Sequence, residues 1–282
     1  MNVQWYPGHM TKAVRSMQED IKLVDLVIEL LDARLPVSSR NPDINRLGQG
    51  KARLILLNKA DLADARENDN WIRYFKNEGA EAVLIDSRKN TGMGDIRAAV
   101  KNACKEKRER DAKRGIKNRP VRAMVAGIPN VGKSTFINSF AKKAVAKTGN
   151  RPGVTKGKQW IRLSNELELL DTPGILWPKF EDETVGLHLA MTGSINDEIL
   201  PKQELGLAIA SFMKESYPGR LNERYGLDEA GDEAKFLDAV ALRMGCLKKG
   251  SEPDTERAAA LLIDDFRSGR LGKISIERVD VQ

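Results

Sequence analysis

The sequence predicts an α/β fold, with a mostly parallel sheet flanked by helices and a smaller helical domain after it. Three observations carry that prediction. Apolar runs at Val24–Leu31, Leu54–Leu57 and Ala82–Ile85 alternate with a helical pattern at 66–78, the rhythm of βαβ units. A further apolar run, Val121–Gly127, leads through Gly127-Ile-Pro-Asn-Val-Gly-Lys-Ser134 into a helical stretch, Lys133–Ala141. That is the strand, loop and helix context of a phosphate cradle. Beyond about Phe180, apolar residues recur at three and four spacing in Leu200–Glu215, Glu233–Gly245 and Pro253–Ser268. The expected division is therefore 1–178 for the sheet domain with an N-terminal arm, and 179–282 for a mostly α-helical domain.

In order, the chain reads as a short helix over 10–22 and a first strand, Val24–Leu31. A second strand, Arg53–Leu57, ends in Asn58-Lys-Ala-Asp61, and a third, Ala82–Ile85, ends in Asp86-Ser-Arg88. One long helix is expected from Asp95 to Arg114, amphipathic first and charged later, with Lys113–Pro120 as a linker. After the phosphate loop, Glu166–Leu170 reads as a strand that ends in Asp171-Thr-Pro-Gly174. Lys273-Ile-Ser-Ile-Glu277 reads as a short last strand, and no internal repeat or low-complexity tract is present.

The loops at the strand ends carry the chemistry. In the phosphate loop, backbone N–H groups at a helix N-terminus face anionic oxygens. Its nucleotide-binding stretch is Asn130, Val131, Gly132, Lys133, Ser134 and Thr135. Gly132 permits close approach, Lys133 is expected to reach the β- and γ-phosphates, and the Ser134 hydroxyl to ligate Mg2+. This loop alone suits ATP as well as GTP. Asn58, Lys59 and Asp61 decide, because a carboxylate at position 61 can accept from both the N1–H and the exocyclic amine of guanine. Adenine offers neither donor, and a buried unpaired carboxylate discriminates strongly. Asp171 is expected to hold the magnesium through water, Gly174 to sense the γ-phosphate, and Thr155 to cap the metal from switch one. Ser87 is expected to back the base. The base reader thus comes about seventy residues before the phosphate loop, the reverse of the usual GTPase order. The chain reads as a circularly permuted P-loop GTPase.

With Trp5-Tyr-Pro-Gly-His-Met10, Asp32-Ala-Arg34 and Pro36 added, the sequence resembles the bacterial ribosome biogenesis GTPase A family, also called YlqF. The resemblance runs from about residue 3 to 200 and continues more loosely through Arg267-Ser-Gly-Arg-Leu-Gly272. It implies a GTP-hydrolysing factor in late maturation of the large (50S) ribosomal subunit, stimulated by that particle. The resemblance also makes His9 the group that positions the attacking water, beside Lys133 as the second catalytic candidate. The glutamine that commonly follows the switch-two glycine is here Ile175, which cannot hydrogen-bond water. Asn130 suggests a K+ ion near the bridging phosphate oxygen, in addition to Mg2+.

Composition bounds the rest. The chain has 282 residues and a formal net charge of +7, and no apolar run has the length of a membrane span. No signal-peptide pattern opens it, and two distant cysteines, Cys104 and Cys246, build neither a disulfide framework nor a zinc knuckle. A cytoplasmic protein, monomeric when free, is expected. Charge is uneven, with 34 Lys/Arg against 21 Asp/Glu in residues 1–181 but 13 against 19 in 182–282. Residues 101–122 hold ten basic side chains against three acidic, and 142–158 hold six and none. Such stripes suit phosphate-backbone binding, and rRNA is the expected partner. Two alternatives are an rRNA-binding module with a nearly vestigial GTPase and a small-subunit assembly GTPase. Switch two runs into the helical domain within about ten residues, so nucleotide state is expected to set how that domain docks on rRNA.

Overall fold

A computed structural model describes residues 17–116, 119–141, 159–163, 165–171, 182–195 and 200–279. Among these, strands β1 (Leu26–Asp32), β2 (Ala52–Asn58), β3 (Glu81–Leu84), β4 (Val121–Ala126), β5 (Gln159–Arg162) and β6 (Leu167–Asp171) form one sheet. The order is β3-β2-β1-β4-β6-β5, parallel except for the β5 edge, which pairs antiparallel with β6. Strand β1 is buried along its whole length, which explains why it reads as a continuous apolar run instead of an alternating one. Leading outward from β1, the chain visits β2 and β3 on one side and β4 and β6 on the other. The switch in direction lies between β1 and β4, and ligands of open α/β sheets bind at the carboxyl ends of strands flanking such a point.

Among the described residues, helical turns over 17–23 precede β1, and the later helices of this unit are α1 (Asp43–Leu47), α2 (Ala65–Asn77), α3 (Met93–Ala103), α4 (Lys105–Lys113) and α5 (Lys133–Ala141). Asp64 caps α2 by accepting from the N–H groups of Arg66 and Glu67. One face of α2 buries Trp71 and Phe75 against Leu31, Ile55, Leu57 and Ala63. Farther along the same sheet face, since Val27 and Leu31 point the same way on β1, Met17, Ile21 and Ile44 pack on Val27 and Met124. The single helix expected over Asp95–Arg114 is two helices that break at Cys104. Beyond that break no α4 residue is buried, because the sequence supplies charge on every face.

The remaining helices are α6 (Glu183–Met191), α7 (Lys202–Ser216), α8 (Arg220–Tyr225), α9 (Glu233–Arg243) and α10 (Thr255–Ser268). They form a second unit, Asp182–Ile274. Its centre is the α7–α10 pair, where a Cβ on Gly206 would meet the Ala259 Cβ at 2.7 Å. Only glycine allows that closeness. The Arg267–Gly272 segment closes the unit. Arg267 donates to the Ala190 and Met191 carbonyls at 2.6 and 3.1 Å, Gly269 ends α10 in a left-handed turn, and Arg270 pairs with Asp264 and Asp265.

Where the sequence places one boundary at 178/179, the structure returns Ser275 and the residues after it to the sheet unit. Lys273–Glu277, expected as a strand, forms no ladder and bends at Lys273 and again at Ile276 and Glu277. Its backbone N–H groups go to a loop carbonyl, with Ile276 and Glu277 both donating to Arg34 O, at 2.7 and 3.1 Å.

Candidate functional site

The site assembles where β1, β2, β3 and β4 end. Register places Asp32 beside Asn58, and Glu29 beside Ala126, so the loops after β1, β2 and β4 emerge at one sheet edge. Asn58 links the two motifs that lie far apart in sequence. Its amide nitrogen donates to Val131 O at 2.8 Å, and its Oδ1 accepts from Ser87 N and Ser87 Oγ at 3.1 and 2.9 Å. Ser139 Oγ on α5 in turn donates to Ser87 O at 2.6 Å. One buried amide therefore clamps the phosphate loop, the base-reading loop and the base-backing loop into a single body. Asn58 and Ser87 are both buried, and a satisfied buried network of this kind rigidifies the loops it joins.

The phosphate loop has the shape its chemistry requires. Gly132 has φ +99°, and a Cβ there would meet Asn58 Nδ2 at 2.4 Å, so no other residue fits. A Cβ on Gly127 would lie 2.9 Å from Leu30 O. Asn130 is left-handed at φ 57°, a conformation asparagine tolerates. Lys133 opens α5 and is buried, and Val131 is buried beside it. Ser134 and Thr135 come next within the first turn, half-buried. A cradle of this form, with glycine forced by its neighbours and a helix N-terminus behind it, fits a chain of phosphates. Among the described residues no group of three His, Cys, Asp or Glu could hold a metal.

At the base-reading loop, Asp61 is partly exposed and its Oδ2 accepts from Lys89 Nζ at 3.2 Å. Lys89 lies three residues past Asp86, which ties the turn by accepting from the Arg88 and Lys89 N–H groups. Lys59 sits at φ 59°, left-handed, with its ammonium 2.9 Å from the buried Asp32 carboxylate. Burial pushes the Asp32 carboxyl up, but the Arg34 and Lys59 cations outweigh it and hold it well below the usual carboxylate range. Asp32, Arg34 and Lys89 carry no chemical role in the sequence reading. Asp32 and Arg34 stand out there only as part of a family signature.

Of the expected site residues, the structure gathers Asn58, Lys59, Asp61, Ser87, Asn130, Val131, Gly132, Lys133, Ser134 and Thr135 at one sheet edge. The Asp171 backbone ends β6, which pairs with β4. His9, Thr155 and Gly174 lie outside the described residues.

Comparison with known proteins fits this geometry. The family described as "50S ribosome-binding GTPase" matches residues 122–201. Ribosome biogenesis GTPase A of Bacillus cereus is 51% identical over 98% of this chain and 94% of its own length. The protein of that name from Thermotoga maritima is 33% identical over 98% of this chain and 94% of its own. The GDP-bound structure of Thermotoga YlqF superposes with a TM-score of 0.67 at 28% identity, covering 94% of this chain and 99% of that one. The GNP-bound form gives 0.64 at 29% identity, with 95% and 98% covered. A guanine-nucleotide site built from permuted motifs, and whole-length likeness at this level, have one reading: the chain belongs to the ribosome biogenesis GTPase A family, GTPases of ribosome assembly.

Proposed function

We propose that this GTPase acts on the immature large ribosomal subunit and binds its rRNA in a GTP-dependent way. The observation that supports the nucleotide half is the Asn58 clamp, which ties the base-reading and phosphate-binding loops to each other. The large-subunit half is supported by the "50S ribosome-binding" description of the matching family. In this reading Asp61 selects guanine, Lys133 draws charge from the β- and γ-phosphates, and Gly132 brings backbone N–H groups onto them. Ser134, with Thr155 and Asp171, would hold Mg2+, which supplies charge neutralisation on the phosphates. Asn130 would hold K+, His9 would orient water, and Gly174 would sense the γ-phosphate.

The rRNA surface is narrower than the charge count suggests. Lys107 pairs with Asp25 and Asp111, Arg108 with Glu166 at 3.7 Å, and Arg119 with Asp25 at 3.9 Å. Lys105, Arg110, Lys113 and Arg114 face solvent along α4 and its end. These four are the cations we assign to phosphate contact within 101–122.

Co-sedimentation in a non-hydrolysable GTP analogue tests the proposal. The protein should travel with immature large subunits and leave them with GDP, and travel with small subunits would reject it. Turnover on the same particles should collapse for His9→Ala and fall when Na+ replaces K+ at equal ionic strength. Unchanged rates would remove those two assignments.

A further inference from the structure

Below Ile274 the chain leaves the helical unit and binds both flanks of the base-reading loop. On one flank, the residues after β1, Ile276 and Glu277 donate to Arg34 O, and the Glu277 carboxylate accepts from Val37 N at 2.6 Å and Ser38 N at 2.9 Å, and from Ser38 Oγ. On the other, just past Asp61, Ser275 Oγ accepts from Asp64 N at 3.1 Å and Glu277 O accepts from Trp71 Nε1 at 3.4 Å. Val279 packs on the cluster that contains Leu57, Ala63 and Trp71. A five-residue segment more than 200 positions away thus staples the near flank of the loop to the far one.

Between the staples lies a buried ionic link. Asp32 is fully buried and uses both oxygens. Oδ1 accepts from Arg34 N and Nε at 3.1 and 3.0 Å, while Oδ2 takes Arg34 Nη2 at 2.8 Å and Lys59 Nζ at 2.9 Å. Arg34 therefore faces two ways. Its guanidinium sets the carboxylate that anchors Lys59, and its carbonyl receives the tail. Lys59 holds a left-handed backbone that lysine seldom adopts, which requires surroundings that over-determine it.

We propose that Asp32, Arg34 and the tail Ser275–Val279 are positioning residues for the base-reading loop, so that tail docking and guanine-nucleotide binding strengthen each other. The proposal rests on the reading of Lys59 and Asp61 as base-reading side chains. Linkage makes the effect reciprocal: whatever factor docking adds to GDP affinity, GDP adds to docking. The partner of the tail is thus the nucleotide state itself, reported into the segment that continues from the helical unit.

The experiment uses the full chain. In wild type, saturating GDP should slow hydrogen exchange at the Ile276 and Glu277 amides, the two that donate to Arg34 O. Glu277→Ala should weaken GDP binding by roughly 5- to 50-fold, within the usual range of coupling between sites. Glu277→Gln, which keeps shape and loses charge, should weaken it less. Inorganic pyrophosphate, which engages only the phosphate loop, should bind all three proteins alike, whereas a general loss of structure would weaken it too. A parallel Asp61→Asn chain should exchange its preference for GDP with one for xanthosine diphosphate. If it keeps preferring GDP, the reading of the base loop fails and the proposal with it. If the preference switches, yet exchange at 276 and 277 ignores GDP or Glu277→Ala binds GDP within twofold of wild type, the tail coupling alone is overturned.

Discussion

Asp32 in the sheet unit and Asp265 in the helical unit are both fully buried, and each is held by two cationic side chains. Around Asp265 the partners are Arg224 Nε at 2.7 Å, Tyr225 Oη at 3.0 Å and Arg270, all belonging to helices or caps of the same unit. Around Asp32, one of the two cations is Lys59, which belongs to the base-reading loop. The chemistry is shared and the consequence differs. A buried ion cluster contributes little net stability, because desolvation offsets attraction, but it fixes geometry. At Asp265 the geometry fixed is the seat of α8 against the end of α10, and at Asp32 it is a ligand-binding loop. Burial of charge therefore does not mark a functional site by itself; what marks it is a partner that has somewhere else to act.

The largest effect expected is from Asp265→Ala. It leaves Arg224, Arg270 and the buried Tyr225 without their common acceptor. Hydrogen bonds to a charged group are worth about 1.5–3 kcal/mol each, and rehydration of the part-exposed Arg224 and Arg270 offsets some of that, so a loss of about 3–5 kcal/mol is expected. Urea denaturation should report that loss while GDP affinity stays at the wild-type value. A parallel fall in GDP affinity would break the comparison, since the helical cluster would then also act on the nucleotide.

Asp32→Asn should cost less, roughly 2–3 kcal/mol, at the low end for a disturbed buried pair because the amide oxygen still accepts from Arg34. Its signature is in linkage. Ligand stabilises in proportion to its affinity, so a given GDP concentration should raise the melting temperature less in this variant than in Asp265→Ala. Acid behaviour sharpens the contrast. Around Asp265, burial pushes the carboxyl up, and the hydrogen bonds from Arg224, Arg270 and Tyr225 outweigh it, so both aspartates are held below their ordinary value. Each then contributes stability that is complete above the unfolded aspartate value of about 4 and is lost as pH falls below it. Replacing either by asparagine should flatten the loss of urea resistance between about pH 4 and pH 2. An acid limb as steep as wild type would mean that the depressed group lies elsewhere.

How far the sequence discloses all this depends on the range of the interaction. The strands, the phosphate loop and the base-reading tetrapeptide are legible because each is a local pattern whose residue types answer a local demand. Ser87 is legible from its place after a strand, although its bonds to Asn58 are not. Asp32 and Arg34 can be read only as a signature, because their partner Lys59 arrives through strand register, which no local pattern encodes. The tail is least legible. Lys273-Ile-Ser-Ile-Glu277 alternates like a strand in sequence, but Ile274, Ser275 and Ile276 are all buried, and its donors meet the carbonyl of a loop remote in sequence instead of a ladder. The break at Cys104 is hidden for the opposite reason, since helical propensity runs straight through it and only the end of packing on the sheet separates α3 from α4.

The smallest effect expected concerns Arg267, which lies two residues past Asp265 and belongs to the same closing segment. Its guanidinium donates to two carbonyls at the end of α6, Ala190 and Met191, and a Cβ on Gly193 would approach it within 3.2 Å. Hydrogen bonds from a charged donor are worth about 1.5–3 kcal/mol, and the carbonyls exposed by truncation regain water, so Arg267→Ala should lie near the lower figure. Arg267→Lys should recover only part of it, because an ammonium cannot span two carbonyls with the planar fork of a guanidinium. Hydrogen exchange would localise the loss to α6 and the turn after it, leaving the Asp265 cluster protected. Equal loss of protection at Tyr225 and Arg270 would show instead that capping and ion cluster are one cooperative element, and the contrast drawn between Asp32 and Asp265 would then be between whole closing segments and not between single carboxylates.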